Sequence, residues 1–192
     1  MRIMTDRPLA PGSTLLVDLD GVVAEQLPQL CTYLRREYDH DVEPDDIDDW
    51  SYEVPEAEGH IGDIIGELMT DHAEWYFGGM DPQPGVADTL STLRSEYRVE
   101  IATHRIPETH DVSKAWLDTH GIGYDDFHDE VPNNKGALAG DALIDDYHGN
   151  VADALSAGKA GFLMQQPYSD PCACDGAHVV TSWDDVRTLL SI

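Results

Sequence analysis

Positive charge is what this chain has least of. Eleven lysines and arginines stand against 38 aspartates and glutamates in 192 residues, for a formal net charge of -27. A broad basic face that tracks a phosphate backbone is thereby excluded, and with it binding to a nucleic-acid polymer. Cysteine is nearly as scarce. Cys31, Cys172 and Cys174 are an odd, sparse set, which builds no disulfide framework and fits a reducing compartment. Cys172-Ala173-Cys174 with His178 nearby lacks both the two-residue gap and the second ligand pair of a zinc site, so a loop is expected there. Long apolar runs are missing too. No uninterrupted stretch approaches 18 residues and Met1 to Ser13 holds no apolar leader core, which predicts a soluble, cytoplasmic protein that enters no membrane.

What remains is an acidic chain with enough apolar residues, 41%, to bury the core of one compact unit. Acids crowd Asp45-Asp46-Ile47-Asp48-Asp49 and Tyr124-Asp125-Asp126. Such a surface suits a high-salt, halophilic cytoplasm, where a Debye length of about 3 Å at 1 M salt quenches self-repulsion; an ordinary acidic domain is the alternative.

The organising stretch is Thr14-Leu15-Leu16-Val17-Asp18-Leu19-Asp20-Gly21-Val22-Val23. Its aliphatic run reads as a buried parallel strand that delivers carboxylates at its C-terminal end, with Gly21 permitting a sharp exit. Open α/β sheets place ligand sites at such ends. Asp18 and Asp20 leave the strand on the same side and address one small volume. That pair suits an aspartate nucleophile with a neighbouring acid/base, and equally a hard cation such as Mg²⁺. An acidic turn with no chemistry is the plain alternative.

Partners follow in order. Leu27, Leu30, Leu34 and Tyr38 recur at helical spacing, as do Ile61, Ile64, Ile65 and Leu68, with Pro44, Pro55 and Gly59 between them. No alternating strand pattern stands out from Ala24 to Asp81, so the region reads as a small helical insertion. Pro84-Gly85 opens another helix that leads to a strand over Arg98 to Ala102, ending in Thr103. A helix ending near Gly121, a short strand over Phe127 to Val131, Lys135, and a strand from Ala142 ending in Asp145 and Asp146 come next. A helix over Tyr147 to Ala157, a strand over Gly161 to Met164 and a closing helix over Trp183 to Leu190 complete the chain.

Asp18-Leu19-Asp20-Gly21, the strand-end Thr103, Lys135 and the acid pair Asp145-Asp146 resemble, in order and spacing, the four-motif signature of the haloacid dehalogenase-like (HAD) phosphohydrolases. Within that superfamily, Trp75-Tyr76-Phe77-Gly78-Gly79-Met80-Asp81-Pro82-Gln83-Pro84-Gly85-Val86 and the Lys135 to Asp146 spacing resemble the 5′(3′)-deoxyribonucleotidase family, cytosolic type C. The resemblance implies a Rossmann-like parallel sheet, residues 1–23 and 82–192, with a helical cap at 24–81. It implies a Mg²⁺-dependent phosphomonoesterase that acts on a small-molecule phosphomonoester, with nucleoside or deoxynucleoside 5′-monophosphates as the expected substrates. A small-metabolite or sugar phosphatase, or an idle Mg²⁺- or nucleotide-binding module, are the alternatives.

By the same resemblance, Asp18 attacks phosphorus and Asp20 serves as acid and then base. Asp18, the Asp20 carbonyl and Asp146 hold Mg²⁺, with Asp145 beside them. Thr103 and Lys135 take phosphoryl oxygens. His104 and Arg105, candidates for the phosphate-binding set, depart from the family pattern, which has a small residue and Pro there; Arg105 either forks onto a phosphate or pairs with an acid. The aromatics Trp50, Trp75, Tyr76 and Phe77 are candidates to stack on a substrate ring, or to pack the cap.

Overall fold

The computed structural model describes residues 7–192; the reading of Met1 to Ser13 falls partly outside them. The chain enters the sheet as β1 (Thr14–Val17) and leaves it for α1 (Gln26–Tyr38), where Leu27, Leu30, Cys31 and Leu34 bury one face. Arg35 and Arg36 sit in its last turn, where the helix dipole favours cations, and Asp39 ends it in the left-handed conformation at φ 53°. A two-residue-a-side hairpin, β2 (Glu53–Val54) and β3 (Gly59–His60), pairs antiparallel before α2 (Ile61–Asp71) and α3 (Ala73–Gly78). The hairpin was not expected. Two residues a side are too few to show an alternating pattern.

α4 (Val86–Leu93), β4 (Arg98–Ile101), α5 (His110–Thr119), β5 (Asp126–Phe127), β6 (Ala142–Asp145), α6 (His148–Ser156), β7 (Ala160–Met164), β8 (His178–Val180) and α7 (Trp183–Leu190) follow in alternation. The expected strand to Val131 stops at Phe127. The His128 amide still bonds Ile101 at 2.9 Å, but Pro132 ahead has no amide hydrogen to continue the ladder. β8 carries one residue on each burial class, too short and mixed to read as a strand.

All six core strands run parallel, in the order β5-β4-β1-β6-β7-β8. This is the α/β, Rossmann-like sheet anticipated from the sequence. β1 sits between β4 and β6, so successive crossovers leave it first to one side and then to the other. That makes its C-terminal end the topological switch point, where such sheets open a crevice. Leu15, Leu16 and Val17 are wholly buried. One apolar cluster runs from Leu15, Val17 and Ile144 out to Leu30, Ile47, Val54, Ile61 and Leu68, so the segment between β1 and α4 packs on the sheet without a break. No helix among the described residues is long and apolar enough to cross a membrane.

Candidate active site

Register places the acids. Val17 lies beside Ile101 on one side and Ile144 on the other, so the residues that follow these three leave the sheet as one row. They are Asp18 and Asp20, then Thr103, then Asp145 and Asp146. The ladder runs into the turn, with the Asp18 amide donating to the Ile144 carbonyl at 3.0 Å and the Ala102 amide to that of Val17 at 2.9 Å.

Asp18, Asp145 and Asp146 are buried and bring carboxylate oxygens within 4.8 Å of one another. Beneath them lies Lys135, 0% exposed, in a single 3₁₀ turn over Lys135–Ala137. Its Nζ donates to Asp145 Oδ2 at 2.7 Å and stands 3.1 Å from Asp18 Oδ1. The second contact is an ion pair outside hydrogen-bond angles, which leaves Asp18 Oδ1 with no hydrogen-bond partner. Burial pushes the Asp18 carboxyl up to about 7, against the pull of Lys135. Burial, then the charges of Asp145 and Asp18, hold Asp146 well above the carboxylate range. Burial alone would lower the Lys135 ammonium, but Asp145 and Asp18 outweigh it and raise it. Asp145 is fully engaged: Oδ2 by Lys135, Oδ1 by the Tyr147 amide at 2.9 Å and Asn150 Nδ2 at 3.0 Å.

When all three carboxylates are ionised, the one ammonium leaves two negative charges uncompensated. An all-oxygen donor set with an orphaned oxygen and that charge fits a hard divalent cation.

Arg105 takes the second of its two expected roles. Its guanidinium, 1% exposed, forks onto Asp20, Nη2 to Oδ1 at 2.6 Å and Nε to Oδ2 at 3.0 Å. Nη1 donates to Ser113 Oγ at 2.9 Å, and the Phe77 ring lies 3.9 Å beneath. The Thr103 hydroxyl oxygen accepts from the Arg105 amide at 3.2 Å. His104 Nε2 contacts the Pro132 carbonyl at 3.0 Å.

A cavity of about 420 Å³ opens over this row, lined by Asp18, Asp20, Asp146, Thr103, His104 and Arg105 below and by Trp50, Ile65, Met69, Phe77 and Tyr147 at the sides. Of the four candidate aromatics, Trp50 and Phe77 face it. Trp75 and Tyr76 do not. Trp75, half-buried, packs on Tyr33 and under Arg36, 4.2 Å away, and Tyr76 is wholly buried against Phe77; these two take the packing role, because α3 points Tyr76 into the core and Trp75 towards α1. Lys135, expected to meet a phosphoryl oxygen, lies behind Asp18 and off the cavity wall.

Sequence patterns gave no hint of the loop after β7. Gln166 Nε2 donates to the Gly21 carbonyl at 2.7 Å, Ser169 Oγ to the Asp146 carbonyl at 2.7 Å, and the Tyr168 hydroxyl to Asp146 Oδ2. Gly21 itself has φ 71°, and a Cβ there would stand 2.1 Å from Asp146 Oδ2 and 2.7 Å from the Tyr168 hydroxyl. Gly21→Ala is therefore expected to lose more than the roughly 1 to 2 kcal/mol of a left-handed residue, read as a fall in unfolding free energy. A loss smaller than that would mean Asp146 yields freely.

The family model described as "5′ nucleotidase, deoxy (pyrimidine), cytosolic type C protein" matches residues 12–192. No curated protein sequence matches. Among solved structures, a β-phosphoglucomutase assigned as putative in Thermotoga maritima superposes with a TM-score of 0.65 at 19% identity, covering 93% of this chain and 98% of that one. A HAD family hydrolase from Deinococcus radiodurans with bound phosphate and sodium gives 0.64 at 17%, covering 95% and 96%. A haloacid dehalogenase-like hydrolase from Streptococcus pneumoniae gives 0.63 at 17%, covering 92% and 97%. At these identities the likeness is one of fold.

Proposed function

Because the chain belongs to the family of cytosolic type C 5′ nucleotidases (deoxy, pyrimidine) and is a HAD-type phosphatase, we propose that it hydrolyses nucleoside or deoxynucleoside 5′-monophosphates. One observation carries this reading: a single cavity joins a carboxylate floor to a side wall of Trp50, Phe77, Ile65 and Met69. The floor suits phosphoryl chemistry and the wall suits a flat ring, in a volume within the range of small-molecule sites. Residues 24–81 act as the cap that carries that wall, on a core formed by 82–192 and the described residues before 24.

In this mechanism Asp18 attacks phosphorus, the ester oxygen departs, and an aspartyl-phosphate forms. Asp20 gives the departing oxygen its proton. It then takes one from the water that attacks the aspartyl-phosphate, which frees phosphate and restores Asp18. Since Arg105 donates to both oxygens of Asp20, the side chain must turn from the guanidinium and take up a proton from solvent before it serves the leaving oxygen. The Thr103 oxygen is already an acceptor, so its hydrogen is free for a phosphoryl oxygen. Asp18, Asp146 and the Asp20 carbonyl would hold Mg²⁺, which when bound neutralises charge on the phosphoryl group. Asp145, saturated by Lys135, Tyr147 and Asn150, stays behind Asp146. Lys135 acts on the phosphate through Asp18, by offsetting the repulsion between that carboxylate and a phosphate dianion.

Phosphate release from a panel of nucleoside and deoxynucleoside monophosphates, sugar phosphates and p-nitrophenyl phosphate, with Mg²⁺, tests the reading. Nucleotides are expected to lead the panel by at least tenfold in kcat/KM. Release from sugar or other small-metabolite phosphates alone would replace the substrate class and keep the chemistry. Mg²⁺-dependent stabilisation with no release from any ester would make the protein a binding module. The acidic surface supports a halophilic setting, so activity is expected to rise between low and molar KCl.

A further inference from the structure

Resting on the reading that Asp146 holds a divalent cation, we propose that Tyr168 is a positioning residue that fixes Asp146 for the cation and couples it to the cap through Trp50. The argument begins with the loop that follows β7. It is locked on itself, the Gln166 amide donating to Ser169 Oγ at 2.9 Å and the Ser169 amide to the Gln166 carbonyl at 3.0 Å. It is then pinned to the turn after β6 by Ser169 and to the turn after β1 by Gln166. Tyr168, 6% exposed, is the side chain this clamp presents to the site.

Its hydroxyl occupies Asp146 Oδ2. Among the described residues Asp146 Oδ1 accepts no hydrogen bond, and Asp146 lines the cavity. One oxygen is thus tethered and the other is open, the arrangement by which a neighbouring donor aims a metal-binding carboxylate. Gly21 leaves the room for it, because any Cβ there would collide with both partners.

The other face of the Tyr168 ring meets Trp50, with ring centroids 4.3 Å apart and planes tilted by 42°. Trp50 comes from the proposed cap, lines the same cavity, and accepts the Gly62 amide through its carbonyl at 3.1 Å. An unbroken line of contacts therefore runs from the start of α2, through Trp50 and Tyr168, to Asp146. A cap movement that shifts Trp50 changes how well the carboxylate is held, and a bound cation in turn favours the cap position that keeps the stack.

Tyr168→Phe removes the hydroxyl and keeps the ring, and so separates positioning from packing. The readout is Mg²⁺ binding without substrate, followed by calorimetry and by the Mg²⁺-dependent rise in melting temperature. Tyr168→Phe is expected to bind Mg²⁺ about 10- to 100-fold more weakly, the usual cost of losing such a partner, while its metal-free circular dichroism matches the parent's. Trp50→Ala, which keeps the hydroxyl, is expected to weaken Mg²⁺ binding by a smaller factor. In the double variant it should add nothing to Tyr168→Phe. A Tyr168→Phe titration that overlays the parent's would overturn the positioning role, and fully additive losses in the double variant would overturn the coupling. Absence of any Mg²⁺ effect in the parent would sink the cation reading with both. None of these titrations depends on the substrate being a nucleotide.

Discussion

Asp18→Asn is expected to release no phosphate from any ester while the protein stays folded and, without Mg²⁺, gains stability. The first half follows from chemistry: an amide is no nucleophile towards phosphorus, and loss of a covalent nucleophile costs on the order of 10⁴-fold or more. The second follows from burial. Folding takes the Asp18 carboxyl from its ordinary 3.8 up to about 7, because desolvation outweighs the attraction of Lys135. Between those values the folded state binds more protons than the unfolded state, so this group makes stability fall as pH rises from about 4 to about 7 and leaves it level above. Asp146, also raised by burial, acts with the same sign. Thermal unfolding of the chelated parent should therefore show a melting temperature that declines across that window. In Asp18→Asn the decline should be shallower, because one of its sources is gone, and Mg²⁺ should raise the melting temperature less. Turnover within tenfold of the parent would remove Asp18 as the nucleophile, and an unchanged pH profile would mean that its charge is already compensated.

Such a carboxylate was legible in the sequence because a strand that buries both faces must be continuously apolar, and Leu15-Leu16-Val17 breaks off abruptly at Asp18. The same contrast marked Ile144 against Asp145. What the pattern does not encode is which side chains answer those acids from other elements. Arg105 was visible as a departure from the family pattern, yet whether it met a phosphate or an acid depended on α5, which brings Ser113 to its third nitrogen. Tyr168 left no trace at all. Its Gln-Pro-Tyr-Ser-Asp setting reads as an ordinary turn, and its meaning arises only where β7 sets that turn beside Asp146. The aromatic run Trp75-Tyr76-Phe77 misled for a related reason. Three consecutive helical residues point in three directions about 100° apart, so a cavity on one side of α3 receives one of them, Phe77, while Tyr76 goes to the core and Trp75 packs half-buried on Tyr33 beneath Arg36.

Lys135→Met removes the one cation from under three buried carboxylates, and it is expected to destabilise the metal-free protein by about 3 to 5 kcal/mol, the range for breaking a buried ion pair from one side. Methionine matches the length of the lysine stem, so little of that loss is packing. Arginine would not substitute, because the turn that carries Lys135 is pressed onto α6: a Cβ at Gly136 would stand 2.4 Å from the Asp153 carbonyl, which leaves no slack for a longer, planar head. Without the ammonium, which pulls its pKa down, the Asp18 carboxyl protonates more readily. The damage should thus be greatest at high pH and shrink on acidification, since a protonated carboxyl needs no counter-charge. Mg²⁺ should recover part of the loss, because it supplies positive charge to the same cluster. It should not recover turnover, since repulsion between Asp18 and an incoming phosphate dianion is then met by the metal alone; a fall of about 2.7 to 4 kcal/mol in transition-state stabilisation is expected from comparable electrostatic deletions. Chemical unfolding across pH, with and without Mg²⁺, reads the three effects on stability, and phosphate release reads the loss of turnover. A variant as stable as the parent at pH 8 would show that the cluster does not depend on the ammonium for its charge balance, and that Lys135 is only one more buried side chain.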